Sequence, residues 1–271
     1  MRFDAYTATI KDQKYRYVAD SIAECLGGIV AAGKPMPRYG EVVNVDVGNR
    51  MACWVGVNTD SGHIYVEGKG ETSPGLADSL RVNFPDHSAP RIDVCEDFNE
   101  PGAFDALIRI VRGSKGPRVK GGYVALPDDV EDGKTWAAGV RGGVGFIRCY
   151  EAGKHPDRLH LGKPDWARLE LECRPHYARD KIAAARMTPL QVWGMSAWTR
   201  AVGEAVTHVE IPRFEAAVRQ YSHDKTLRYW ALTFRRNIEE LLANGEHLES
   251  TVRAVWKEED EFKKLARNRG S

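Results

Sequence analysis

The sequence lacks the paired cysteines of a zinc site or a redox motif. Its five cysteines are odd in number, and none forms a Cys-x-x-Cys pair, which argues against a disulfide framework and against zinc. Cys95, Cys149 and Cys173 fall in predicted strands, where a free cysteine behaves as a small buried hydrophobe. We therefore expect a protein of the reducing cytoplasm.

Long hydrophobic runs are also missing. No stretch approaches the roughly 18 apolar residues of a membrane span, and the first residues lack the apolar core of a signal peptide. With 271 residues, 42% of them hydrophobic and 28% charged, the chain can bury an ordinary globular core. We expect a soluble, cytoplasmic protein that has no membrane partner.

There is little net charge. The total of +1 does not by itself indicate nucleic-acid binding. One local cluster between residues 109 and 120 is basic and contains no acidic residue. Its members are Arg109, Arg112, Lys115, Arg118 and Lys120. Such a cluster suits a phosphate backbone, although a helix with a solvated basic face explains it almost as well.

Hydrophobic periodicity predicts an α+β fold with an antiparallel sheet and packed helices. Strands are predicted at 3–10, 41–47, 52–57, 63–67, 91–98, 123–126, 146–150 and 166–174. Helices are predicted at 15–32, 73–84 and 101–113. Ser73 is expected to cap the second helix ahead of Pro74, and a charged turn is expected at 128–134.

After residue 186 the pattern is helical only. Helices are predicted at 190–206, 213–221, 226–244 and 248–268. Thr188 and Gln191 have the spacing of a capping box at the start of the first. We therefore predict a sheet domain over 1–186 and a helical C-terminal region over 187–271, whose role the sequence leaves open.

Three of the predicted strands carry charge on one face and apolar side chains on the other. The charged faces hold Asp93 and Asp97; Arg148 and Tyr150; and Arg168, Glu170, Glu172 and Arg174. Aspartate is depleted in strands, and glutamate is depleted to a lesser degree. Acidic residues repeated at strand centres therefore suggest a metal site more than a wetted surface.

The four carboxylates of Asp93, Asp97, Glu170 and Glu172 are hard oxygen ligands suited to magnesium or manganese. The alternative is a set of ion pairs with the arginines of the same strands. Strand spacing alone does not choose between a divalent metal cofactor and these ion pairs.

Tyr150 shares its strand face with Arg148, which makes its phenol a possible nucleophile. A phenol has a pKa near ~10, so ionising it at neutral pH costs about 4 kcal/mol. A nearby metal ion or Arg148 could offset that cost. Without such help Tyr150 is expected to have a packing role.

Three motifs in this stretch resemble a known family. They are Arg91-Ile-Asp-Val-Cys-Glu-Asp-Phe98, Phe146-Ile-Arg-Cys-Tyr150 and Arg168-Leu-Glu-Leu-Glu172. Their order and spacing are similar to those of the replication initiation factors of rolling-circle plasmids and filamentous phages, and of the related relaxases of conjugative transposons. The resemblance covers roughly residues 91–174 and does not extend to the helical tail.

This resemblance implies metal-dependent nicking and joining of origin DNA. Tyr150 would form a covalent 5′-phosphotyrosine, Asp93 and Glu170, with Asp97 or Glu172, would hold the metal, and Arg148 and Arg168 would neutralise the phosphate. The basic cluster and Lys154 would follow the DNA backbone. A host helicase, a polymerase and a second copy of the chain are the other partners expected.

Two positions depart from the family pattern. Many members have Lys two residues after the tyrosine, where this chain has Ala152, and Lys154 is the nearest lysine. Glu96 stands where a hydrophobic residue is usual. Two rival functions are also retained: a non-catalytic DNA-binding replication regulator with the same fold, and a metal-dependent phosphodiesterase that uses water, with Tyr150 structural.

Overall fold

The computed structural model describes residues 1–125, 133–216 and 233–244. In this part of the chain, ten strands form one antiparallel sheet. They are β1 (Arg2–Ile10), β2 (Ile29–Ala32), β3 (Tyr39–Val47), β4 (Arg50–Asn58), β5 (Ile64–Lys69), β6 (Ser88–Asn99), β7 (Gly121–Ala125), β8 (Thr135–Gly139), β9 (Phe146–Tyr150) and β10 (Trp166–Cys173). Their order across the sheet is β2-β3-β4-β5-β1-β6-β10-β9-β8-β7.

The helices are short, and several pack against this sheet. They are α1 (Tyr15–Leu26), α2 (Ser73–Asn83), α3 (Ala103–Ser114), α4 (Ala178–Ala185), α5 (Pro189–Val192), α6 (Ala197–Thr207) and α7 (Arg235–Ala243). The predicted α+β class with an antiparallel sheet is therefore confirmed. Among the described residues, no helix has the length and apolar content needed to cross a membrane.

Helices α1 to α4 pack against one face of the sheet, and none of these four lies on the opposite face, here called the open face. Strand side chains such as Val55, Ile92, Leu171 and Ile147 share one buried core with the apolar stripes of α1 to α4. Paired residues of neighbouring strands continue this core-facing side of the sheet without interruption from β3 to β8. The residues between them along each strand face the open side, because side chains alternate along a strand.

The predicted first helix is wrong in its C-terminal part. It ends at Leu26, where Gly27 takes a left-handed conformation with φ of 65°, which a glycine adopts without the cost that a Cβ brings. Residues 29–32 instead form β2, which pairs with β3. The apolar residues of β2 happen to continue the helical spacing of α1, and for this reason the predicted helix was too long.

Two helix starts also differ from prediction. Ser73 is the first residue of α2, and its hydroxyl donates to the backbone carbonyl of Asp4 at 3.1 Å instead of capping the helix. Helix α3 begins at Ala103, after Gly102 in a left-handed conformation with φ of 78°. Strand β8 and helix α4 were not predicted.

The tail beyond residue 186 is more broken than its periodicity suggests. The Thr188–Gln191 capping box is confirmed, but a 3₁₀ turn over Trp193–Met195 separates α5 from α6. Residues 213–216 are not helical, and α7 lies within the predicted 226–244 helix. Most of the predicted turn at 128–134, much of the 213–221 helix and all of the 248–268 helix lie outside the described residues.

The first compact unit of the chain extends past residue 186. The chain divides into two compact units, Met1–Ala217 and Val218–Ser271. The physical reason is that Trp193, Val202 and Ile211 are buried in the same core as the sheet. Helices α5 and α6 therefore belong to the sheet unit.

Ile211 tests this boundary, because only 1% of it is exposed and it packs against Gly203 and Trp193. We predict that Ile211→Ala lowers the free energy of unfolding by about 2–5 kcal/mol, the usual cost of emptying a buried aliphatic site. Urea unfolding measures the change. Val209→Ala, at a position that is 49% exposed, should change little. Equal effects of the two substitutions would contradict the placement of residues 187–216 in the core.

Candidate active-site cleft

A cleft of about 990 Å³ opens on the uncovered face over β1, β6, β9 and β10. Eight of its lining residues are Lys or Arg, and five are Asp or Glu. The basic ones are Arg2, Arg50, Lys69, Arg91, Arg148, Arg158, Lys163 and Arg168. The cleft is thus basic although the whole chain is almost neutral, and it suits an anionic ligand.

Strand register brings the predicted catalytic residues together. Arg168 on β10 lies opposite Tyr150 on β9 and opposite Asp97 on β6. Glu170 lies opposite Arg148. Directly opposed residues on antiparallel strands have Cβ atoms about 4.5–5.5 Å apart, so these side chains meet on the open face.

Tyr150 is joined to the strand beside it through Glu170. Its hydroxyl donates to Oε2 of Glu170 at 3.3 Å, and Oε1 of the same carboxylate accepts from Nη2 of Arg148. Burial raises the pKa of Tyr150 to about 12, and the negative charge of Glu170 adds to that rise, while Arg168 opposes it. The phenol therefore needs a proton acceptor to act as a nucleophile near neutral pH.

Arg168 is held more tightly than a free phosphate-binding side chain. Its Nε and Nη2 donate to the two oxygens of Asp97 at 2.6 and 3.0 Å, and its Nη1 donates to Asp4 at 2.9 Å. Burial acts to lower the pKa of Arg168, but the bonds to Asp97 outweigh it and the pKa is raised. These bonds use three of the five N–H groups of a guanidinium, so Arg168 can hold the cleft wall and still face a phosphate.

Asp93 and Glu172 form a second, more buried charged group. Arg91 donates to Oδ1 of Asp93 at 2.9 Å and also to Oδ2. Glu172 accepts from Arg174 at 2.7 Å, and its Oε2 lies 3.4 Å from Arg91. Burial raises the pKa of Asp93 to about 6, and the nearby charges of Glu170 and Glu172 add to this against the effect of Arg91.

The four predicted metal ligands do not form one ligand set. Asp93 and Glu170 line the cleft, whereas Asp97 and Glu172 are not part of its lining. Every one of the four is bound by an arginine. Within residues 1–125, 133–216 and 233–244, no three His, Cys, Asp or Glu side chains are grouped so that they could hold a metal ion. This arrangement fits the ion-pair alternative better than it fits a divalent cation.

The predicted DNA-binding residues lie elsewhere. Arg109 and Arg112 are on α3, whose apolar stripe packs on the covered face of the sheet, and Arg112 stacks over Trp136 on that side. No member of the 109–120 cluster lines the cleft. Lys154 pairs with Glu151 at 2.8 Å and is also outside the lining.

Two further basic residues of the cleft lining come from the loop after β9. A Cβ on Gly153 would lie 1.7 Å from the carbonyl oxygen of Lys163, so only glycine lets this loop close on itself. The loop brings Arg158 and Lys163 to the cleft. Ala152, which occupies the position of the expected lysine, is fully buried.

Trp166 is a further site residue that sequence reasoning missed. The guanidinium groups of Arg158 and Arg168 lie near its ring, with their Cζ atoms 5.0 and 5.4 Å from the ring centroid. Its Nε1 donates to Asp97 at 2.8 Å. A tryptophan at the first position of a charged strand was the available signal, because such a residue can offer its ring to a ligand.

Comparison with known proteins finds a similarity to a solved structure. The chain is similar to the structure of a rolling circle replication initiator protein from Geobacillus stearothermophilus, with a TM-score of 0.48 and 15% sequence identity over 82% of this chain and 89% of that chain. No family model matches the sequence, and no curated protein matches it. A similarity of this degree does not assign a function.

The raised pKa of Asp93 predicts a pH-dependent stability. A folded-state pKa of about 6 stabilises the fold below the ordinary pKa of an aspartate, and that contribution, about 3 kcal/mol, is lost as the pH rises through about 6. Asp93→Asn removes the titration. The difference in unfolding free energy between this variant and the unsubstituted protein is measured in urea. As the pH is raised from about 4 to about 7, that difference should shift in favour of the variant.

Asp97→Asn is the matched control: measured below about pH 4, where Asp97 titrates, its slope should have the opposite sign. Burial acts to raise the pKa of Asp97, but bonds from Arg168 outweigh it and the pKa is lowered. The contribution of Asp97 is present above the ordinary pKa of an aspartate and is lost as the pH falls. Parallel slopes for the two variants would contradict the assigned environments.

Proposed function

We propose that this chain nicks and rejoins one strand of DNA through Tyr150, and that it does so at an origin to start rolling-circle replication. The main observation behind the proposed nicking chemistry is the hydrogen bond from the Tyr150 hydroxyl to Glu170 in a basic cleft. The replication part is supported by the order and spacing of the three motifs over residues 91–174.

Glu170 is the proposed general base. Its Oε2 accepts a hydrogen bond from the Tyr150 hydroxyl in the resting arrangement, and Arg148 holds its other oxygen, so the carboxylate is fixed in position. A base in hydrogen-bond contact with its nucleophile offsets the cost of ionising a phenol. That cost is large here because burial raises the pKa of Tyr150 to about 12.

The reaction is a transesterification. The bond between the Tyr150 oxygen and phosphorus forms as the bond from phosphorus to the 3′ oxygen breaks. The phenol proton passes to Glu170, and the leaving 3′ oxygen takes a proton from solvent. One phosphodiester replaces another, so the free 3′ hydroxyl can later attack the phosphotyrosine and rejoin the strand.

The arginines of the cleft supply the phosphate contacts. Arg148 and Arg168 flank Tyr150, and both line the cleft. Guanidinium groups suit phosphate oxygens because their donors are planar and permanently charged, and they stabilise the charge that develops in the transition state. Trp166 offers a ring for an unpaired base, which favours single-stranded DNA at the nick site.

No step in this mechanism passes through a metal ion. A predicted requirement for magnesium or manganese is tested separately, by nicking in a chelator with and without added ion. The helicase, polymerase and second copy of the chain remain predicted partners.

Tyr150→Phe should abolish the covalent DNA adduct and leave DNA binding within about twofold, because only the attacking hydroxyl is lost. The assay incubates protein with single-stranded oligonucleotides from its own replicon and separates adducts on a denaturing gel. Tyr177→Phe, at a residue that is 38% exposed and outside the cleft lining, is the control.

Other outcomes of this assay would support one of the two rival functions. Cleavage without an adduct would indicate a phosphodiesterase that uses water. Binding without cleavage, on DNA that includes the origin, would indicate a non-catalytic regulator. An adduct that persists in Tyr150→Phe would overturn the assignment of the nucleophile.

Glu170→Gln should slow nicking by about 10²–10⁴-fold, because glutamine still accepts the hydrogen bond but cannot take the proton. The loss should shrink as the pH rises toward the phenol pKa. Single-turnover rates across pH provide the measurement. Glu71→Gln, at an exposed carboxylate on the cleft rim, should change the rate little, and equal losses in both variants would reject Glu170 as the base.

A further inference from the structure

A second ligand surface lies on the same open face, on the far side of β1 from Tyr150. Tyr39, Trp54 and Tyr65 form an aromatic cluster on β3, β4 and β5, here called the aromatic platform. The ring centroids of Trp54 and Tyr65 are 5.1 Å apart, with planes tilted by 33°, and those of Tyr39 and Trp54 are 5.0 Å apart. All three residues are only partly buried.

A glycine makes the aromatic platform possible. Gly56 lies opposite Tyr65 on the neighbouring strand. A Cβ on Gly56 would lie 3.1 Å from Cζ3 of Trp54 and 3.3 Å from Cδ1 of Tyr39. The rings therefore lie over the space that a side chain would fill. The plane of Tyr39 is at 76° to that of Trp54 and at 44° to that of Tyr65, so the platform is a cluster of tilted rings.

The aromatic platform is on the same face as the cleft. Trp54 is paired with Glu67, Glu67 with Thr7, and Thr7 with Arg91. Directly paired residues of adjacent strands share a face, and Arg91 lines the cleft. Four strand spacings separate β5 from β9, so Tyr65 and Tyr150 belong to strands about 19 Å apart.

Charged side chains of both signs act on the aromatic platform. Burial raises the pKa of Tyr65 to about 12, and the negative charge of Glu67 adds to that rise, while Arg174 opposes it. Burial and the charge of Glu67 also raise the pKa of Tyr39, against the effect of Arg38. Lys69 and Arg91 line the intervening edge of the cleft.

We infer that the aromatic platform stacks unpaired bases of the DNA strand that leaves the cleft, an inference that rests on the proposed function. Aromatic rings bind any base through its π face, while nearby cations follow the phosphates. A cluster of three rings on the same face as a basic cleft, with Lys69 and Arg91 at the near edge of that cleft, matches that chemistry.

The test compares DNA lengths. Trp54→Leu keeps apolar volume but removes the aromatic face, so it should weaken binding of an oligonucleotide that extends well beyond the nick site by about 5- to 150-fold. Binding and nicking of a short oligonucleotide covering only the nick site should be unchanged. Trp54→Phe should restore most of the affinity, and Tyr177→Ala is the control for a surface aromatic.

Abasic DNA separates stacking from charge. If bases stack on the platform, a long oligonucleotide whose extension lacks bases should bind the unsubstituted protein and Trp54→Leu equally. An equal loss on abasic DNA, or no loss on ordinary long DNA in a folded variant, would overturn the inference. If no DNA is nicked but the length-dependent loss is seen, the platform stands and the proposed function fails.

Discussion

The open face of the sheet depends on arginine–carboxylate pairing across its central strands. Asp93, Glu170 and Glu172 are almost fully buried, and a buried charge without a partner is costly. Arginines on the same or adjacent strands provide that partner. The register of the strands thus gives each of these buried carboxylates a cationic partner. The same register places charged side chains around Tyr150.

This pairing also determines what the cleft can do. The bond from Arg148 fixes Glu170 beside the Tyr150 hydroxyl, and the bonds from Arg168 to Asp97 and Asp4 fix the adjoining wall. The arginines are immobilised before any ligand arrives, so little further ordering is needed when a phosphate binds. The proposed nucleophile, the proposed base and the cationic groups are therefore held in fixed positions on adjacent strands of one sheet.

Local sequence pattern predicted much of this face, because strand alternation is a property of neighbouring residues. The faces of β6, β9 and β10 could be assigned from period-two spacing, and the structure brings Tyr150 and Glu170 into hydrogen-bond contact. Register between strands was not available from spacing, so the arginine partner of each carboxylate could not be named from the sequence. The loop that supplies Arg158 depends on the close approach at Gly153, a tertiary effect.

The position of the basic cluster relative to the cleft could be read in part from the sequence. The apolar residues Phe104, Leu107 and Val111 identify the buried side of α3, so Arg109 and Arg112 belong to a helix packed on the covered face, and the role of the cluster in DNA binding stays a prediction. A helix on that face cannot line a cleft on the other. The missed break at Gly27 has a similar origin, because helical periodicity alone does not show where a left-handed glycine ends a helix.

The central claim is that Tyr150 is the residue that becomes joined to DNA. The most direct measurement is mass spectrometry of the protein after reaction with single-stranded origin DNA and digestion by nuclease and protease. We predict a deoxynucleotide, attached through its 5′ phosphate, on the peptide that contains Tyr150. Cleaved DNA with that peptide unmodified, or an adduct on a different residue, would contradict the account.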